Sequence, residues 1–178
     1  MDFQAIIDKY YPEKGKLRQT LMVHSRSVAD KALRLAGLHP EMNLDTTFIE
    51  EAAMLHDLGV FRCNAPDIFC FGNQPYICHG SIGAEILRAE GFERHALVCE
   101  RHTGTGLTLD YILQNDLPIP HRNLCPVSLE EQIICYADKF FSKTRLDAEK
   151  TPEQALKSVS KWGTDCAEKF KEWMQMFE

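Results

Sequence analysis

Apolar residues recur at spacings of three and four along most of the chain, a period that predicts helices and almost no strand. The pattern marks helices near residues 2–10, 15–37, 46–57, 80–90, 93–103, 107–115, 128–147 and 152–176. The expected fold class is therefore all-α, a single helical domain over 1–178 with seven to eight helices. Its breaks have local causes. The second helix stops at Gly37 ahead of "LHPEMN", and "LPIPHRNLCP" is too rich in proline to stay helical. The last helix opens on "TPEQ", where Thr151 can cap, Pro152 suits the first turn and Gln154 stands at the capping-box position. Its stripe of Leu156, Val159, Trp162, Cys166, Phe170, Trp173 and Phe177 reads as core or as a dimer surface, which leaves a homodimer open.

Five of these periodic pieces carry a histidine or aspartate where an apolar side chain is expected. Leu17, Leu21, His24, Val28, Ala32 and Leu35 share one helical face, so His24 points at the core. His56, followed at once by Asp57, continues Ile49, Ala52 and Ala53; His79 precedes Ile82, Gly83 and Ile86. His102 follows Val98 and Cys99, and Asp138 falls between Ile134 and Phe141. One buried imidazole is ordinary core chemistry. Five insertions need a common partner, because each unpaired buried polar group costs roughly 1–3 kcal/mol or more. The other histidines, His39, His95 and His121, stand beside Pro or Arg in what read as loops and solvated turns.

Imidazole nitrogen and carboxylate oxygen together suit divalent iron, manganese or zinc. Adjacent helical residues point about 100° apart, so His56 and Asp57 can share a metal only if other helices complete the shell. Six ligands exceed what one hydrolytic ion needs while leaving a position for water, which favours two ions. Asp57, with two carboxylate oxygens, can bridge them.

Composition narrows the function classes. At 178 residues, the chain is long enough to bury a core without staples. No run approaches the roughly 18 apolar residues of a membrane helix. The start, "MDFQAIIDKYYPEKGK", has neither the basic segment nor the apolar run of a signal peptide, and a cytoplasmic location is expected. Seven cysteines without a C-x-x-C pair argue against both a disulfide framework and a zinc ribbon. The net charge of −6, with Lys and Arg scattered, argues against an extended nucleic-acid surface. A cationic metal pair could still hold a small phosphorylated molecule. Two segments look suited to shaping its pocket. Residues 59–78, "GVFRCNAPDIFCFGNQPYIC", are long and aromatic enough to be a packed lid, and in "HTGTGLT", residues 102–108, Gly104 and Gly106 let backbone N–H groups approach an anion closely, with Thr103 and Gly104 as the substrate-binding candidates.

The pieces "VHSRSVA", "AAMLHDLGV", "ICHGSIGAEIL", "RHTGTG" and "CYADKFFSK" resemble the successive motifs of the HD superfamily of metal-dependent phosphohydrolases, over about residues 17–145. The core signature H…HD…D corresponds to His24, His56, Asp57 and Asp138. His79 and His102 match the extended pattern of the two-metal subgroup, closest to its diadenosine tetraphosphate hydrolase branch and to small uncharacterised HD proteins. Val60 follows the HD pair where the cyclic-dinucleotide phosphodiesterases usually carry a lysine, and no "GYP" occurs, which disfavours that branch. The resemblance implies a helical fold around a buried metal centre, with the C-terminal helix 152–176 packed on the motif-bearing core. It also implies two divalent ions, iron or manganese ahead of zinc, nickel or magnesium, with Asp57 as the bridging catalytic carboxylate. His24, His56, Asp57 and Asp138 would hold one ion, and His79, His102 and Asp57 the other. The expected reaction is attack of metal-activated water on a nucleotide phosphate. Arg145, two turns beyond Asp138 on a continuous helix, is the first candidate to bind phosphate, with Lys139 and Lys143 behind it. Rival readings are an HD-fold di-iron oxygenase using the same ligands and a non-catalytic regulatory module.

Overall fold

Nine α-helices form where the 3.6-residue period runs, and sheet is limited to one antiparallel pair, β1 (Asn64–Ala65) with β2 (Cys70–Phe71). The computed structural model describes residues 1–178. The helices are α1 (Phe3–Tyr10), α2 (Lys16–Leu38), α3 (Thr46–Leu55), α4 (His79–Ala89) and α5 (Glu93–Arg101). They are followed by α6 (Leu109–Gln114), α7 (Leu129–Asp138), α8 (Pro152–Val159) and α9 (Thr164–Phe177). The expected all-α class is met. α2 lies against α3 and α7, α4 runs along α5, and one apolar core joins them. No helix is long and apolar enough to cross a membrane.

Two expected helices are shorter than the period suggested. The helix expected over 128–147 ends at Asp138. Its last turn tightens, with Phe140 N–H donating to Ala137 O and Phe141 N–H to Asp138 O, and the Ser142 hydroxyl then accepts from Thr144 N–H. Serine and threonine offer the backbone a local alternative to the helical ladder, and the chain turns here instead of continuing. The helix expected over 152–176 is two helices, because Gly163 adopts φ 108°, open only to glycine without strain. Of that stripe, Val159, Cys166, Phe170, Trp173 and Phe177 are buried in the chain's own core, while Leu156 and Trp162 are half-buried.

The start of α8 is built as its sequence suggested. Thr151 accepts from Gln154 N–H, the Gln154 side chain accepts from Thr151 N–H, and Pro152 occupies the first turn. Thr151→Ala should lower stability by about 1 kcal/mol, read as a shift of the urea midpoint without change of slope.

Segment 59–78 is anchored by buried Val60, Cys63, Ile68, Cys70 and Cys78, while its Phe69, Phe71 and Tyr76 are exposed. It winds through the 3-10 turns Leu58–Arg62, Pro66–Ile68 and Tyr76–Cys78 around the β1–β2 pair. Burial pushes the Cys63 thiol up to about 12 and the Cys70 thiol to about 11, so both stay protonated at neutral pH and are poor redox centres.

Candidate metal centre

The site is assembled at helix ends. His24 sits mid-helix on α2, while His56 and His102 cap the C-termini of α3 and α5 rather than lying inside them. His79 is the first residue of α4 and Asp138 the last of α7. Asp57 leaves helical geometry at φ −103°, ψ 13°, and this change of direction lets it share a centre with its neighbour His56. The six side chains are all buried, Asp57 completely.

The structure brings all six sequence-identified residues together. Asp57 lies between two histidine groups and presents a different oxygen to each. Its Oδ2 is 3.2 Å from His24 Nε2 and 3.1 Å from His56 Nε2, and its Oδ1 is 3.4 Å from His79 Nε2 and 3.5 Å from His102 Nε2. Asp138 Oδ1 closes the first group at 3.0 Å from His24 Nε2 and 3.5 Å from His56 Nε2.

Hydrogen bonding tests whether these atoms fit a cation. Three rings donate Nδ1–H to the carbonyl three residues earlier: His56 to Ala53 at 2.7 Å, His79 to Tyr76 at 2.6 Å and His102 to Cys99 at 2.7 Å. That assignment leaves Nε2 as a lone pair directed inward, as in histidines oriented for a metal. The Nε2 atoms of His79 and His102 then face each other at 2.9 Å, two acceptors with no proton between them. Both nitrogens of His24, Nε2 of His56 and both oxygens of Asp57 are buried without a properly aligned hydrogen bond. Buried polar atoms are rarely orphaned, and a shared cation would satisfy these together. The groups His24–His56–Asp138 and His56–Asp57–His102 each bring their ligand atoms within 4.8 Å of one another; they share His56, and His79 stands outside both, 2.9 Å from His102 Nε2.

Charge is uneven across the centre. Burial works against protonating His56, but Asp57 and Asp138 outweigh it and push the imidazole up to about 9. His79, buried against His102, is pushed down to about 3. Burial opposes ionising Asp57, yet His56 and Lys143 hold its carboxyl well below the usual range. The field that favours a proton on His56 equally favours a cation among these carboxylates.

The approach to the centre is a cleft of about 400 Å³ whose wall includes Thr103, Gly104, Lys139, Lys143, Lys150 and Lys161. Lys143 Nζ is 2.6 Å from Asp57 Oδ2, and Lys139 Nζ is 2.6 Å from Asp138 Oδ2. Arg145 is exposed and lies outside this wall, because α7 ends before it and the face shared with Asp138 does not exist. The order of the three candidates is thus reversed. Segment 59–78 contributes Ala65, Asp67, Ile68 and Tyr76 to the cleft, whereas its Phe69 and Phe71 are exposed and outside it. Tyr76 stacks on His79 with ring centroids 4.6 Å apart, which fixes the imidazole plane. Tyr76 belongs to the aromatic segment expected to wall the pocket, whereas Lys150 and Lys161 had no sequence signal of their own, since each depends on how irregular chain folds back over the centre.

Residues 21–142 match the protein family described as HD domain. An uncharacterised protein of Methanocaldococcus jannaschii is 32% identical over 135 residues, which cover 74% of this chain and 72% of the relative. Two relatives are named tRNA (cytidine(56)-2'-O)-methyltransferase. The one from Thermoplasma volcanium is 30% identical over 79% of this chain and 37% of its own length, and that from Picrophilus torridus 31% identical over 69% and 32%. The chain therefore spans only about a third of either methyltransferase. No solved structure gives a significant match.

Proposed function

The chain belongs to the HD-domain family, and from that premise we propose that it is a metal-dependent phosphohydrolase acting on a small phosphorylated metabolite, a nucleotide being the expected class. The observation that carries this reading is Asp57, whose two oxygens face two separate histidine groups. His24, His56, Asp57 and Asp138 would hold one divalent ion, and Asp57, His79 and His102 a second. Bound there, the ions would supply Lewis acidity and lower the pKa of water toward neutrality.

The chain's own residues do the rest. Asp57 and Asp138 stay ionised to hold positive charge, and the three carbonyl-anchored imidazoles keep their lone pairs aimed inward. Lys143, Lys150 and Lys161 present positive charge to phosphate oxygens, while Lys139, bonded to His102 O and Asp138, braces the ligand shell. The lysines favour an anionic substrate, which supports hydrolase over oxygenase chemistry. Four of them gathered in one cleft of a chain of net charge −6 do not form the broad basic face that a tRNA would need.

Metal analysis of protein purified without chelator should find two equivalents of iron, manganese or another divalent ion per chain. A panel of phosphoesters assayed with each metal should reveal hydrolysis. Oxygen consumption with an organic substrate and no phosphoester turnover would overturn the assignment in favour of the oxygenase. Lys143→Ala should raise KM for the phosphorylated substrate about 10- to 100-fold, the value of one charge-assisted contact, while metal content stays at two equivalents.

A further inference from the structure

Trp162 is a wall of two cavities. On one side is the lysine-bearing cleft over the candidate metal centre; on the other is a second cavity of about 360 Å³, bordered by Leu107, Tyr111, Trp162, Asp165 and Trp173. The HTGTG turn is divided between them, with Thr103 and Gly104 on the first and Thr105 and Gly106 on the second. The partition is thin. A Cβ added to Gly104 would stand 3.3 Å from Trp162 Cγ, and Tyr111 meets the indole edge-on with centroids 6.4 Å apart.

The two cavities differ in chemistry. The first gathers Lys139, Lys143, Lys150 and Lys161; the second has Lys169 alone, already paired with Glu172. What the second offers is ring surface, with a carboxylate, Asp165, at its edge to accept from an exocyclic amino group. Its volume falls within the range of small-molecule sites, and the half-buried Trp162 and Tyr111 rings suit a flat heteroaromatic ring, with the core residue Trp173 closing the cavity behind them. A sugar phosphate or other ring-free ester would leave it unused.

We propose that the cavity behind Trp162 is a nucleobase subsite, so that the substrate is a nucleoside phosphate with its phosphate over the metal centre and its base against Trp162 and Tyr111. This subsite rests on the phosphohydrolase reading and differs from a base held by segment 59–78, whose phenylalanines do not line the cleft. Trp162 then sets specificity from outside the ligand shell.

The chain's two tryptophans, Trp162 and Trp173, both line this cavity, so intrinsic fluorescence reports on it directly. Adenosine and AMP titrated into the metal-loaded protein should quench it saturably, and inorganic phosphate should not. Tyr111→Leu, at a residue of the second cavity only, should raise the AMP Kd about 10-fold, within the range of base–aromatic stacking. Trp162→Leu should do the same and Trp162→Phe less, because a ring is kept. The subsite is overturned if AMP binds no tighter than phosphate, or if Phe141→Leu, in the first cavity only, weakens AMP while Tyr111→Leu does not. Hydrolysis of glycerol phosphate, which has no ring, separates the two claims. Turnover without adenosine quenching sinks the subsite alone, and quenching by adenosine without any turnover supports the subsite and sinks the phosphohydrolase reading.

Discussion

Asp57→Ala should abolish hydrolysis, by about 10³-fold or more, and bring metal content from two equivalents toward none. Asp57 is the one residue within 3.5 Å of all four histidines, with Oδ2 toward His24 and His56 and Oδ1 toward His79 and His102. On the proposed two-ion reading, removing it would take a ligand from both ions at once and with it the charge that holds them together. His79→Ala should instead lose chiefly the second ion, since His79 Nε2 lies 3.4 Å from Asp57 Oδ1 and 2.9 Å from His102 Nε2. Folding has to be followed in parallel, because the alanine also leaves half-buried Lys143 without its partner at 2.6 Å. Asp57→Asn keeps the shape and removes only the charge, so far-ultraviolet circular dichroism should match the parent while metal is still lost. Two equivalents of metal retained in either variant would refute the bridging role.

The six converging residues were legible in the sequence because burial of a polar group breaks a period that is otherwise apolar. His24 between Leu21 and Val28 is such a break, and no turn geometry is needed to notice it. The helix ends were less legible. Periodicity carried α7 past Asp138 because Phe140 and Phe141 continue the apolar pattern, while the Ser142–Thr144 contacts that turn the chain are local and polar. That one miss moved the cleft-lining charge from Lys143 to Arg145. Periodicity likewise ran α8 into α9, hiding Gly163 and with it the placement of Trp162 between two cavities. Charges and aromatic rings carried by irregular chain have no period, so their destination emerges only once the turns are known.

Glycines were the other hidden element, and Gly59→Ala should have the largest effect on stability of any single methylene-scale change near the site. A Cβ at Gly59 would stand 2.2 Å from His79 O and 2.4 Å from Gly83 N, both backbone atoms of α4. Neither can swing aside as a side-chain tip could, so the turn after the HD pair must separate from the helix. Overpacking against immovable backbone costs about 3 kcal/mol or more, which at this chain length lowers Tm by roughly 6–12 °C. The same displacement pulls His79 away from Asp57 Oδ1 at 3.4 Å and from His102 at 2.9 Å, so the second ion should be weakened along with the fold. Gly37→Ala is the control. It lies within α2 with nothing within 4 Å of the added carbon, and should be neutral or stabilising by up to about 1 kcal/mol. Thermal melts and metal equivalents measured on both variants decide the matter. A Gly59→Ala protein that melts within a degree or two of its parent and keeps both ions would mean that the close approach of this turn to α4 does not set the spacing of Asp57 and His79.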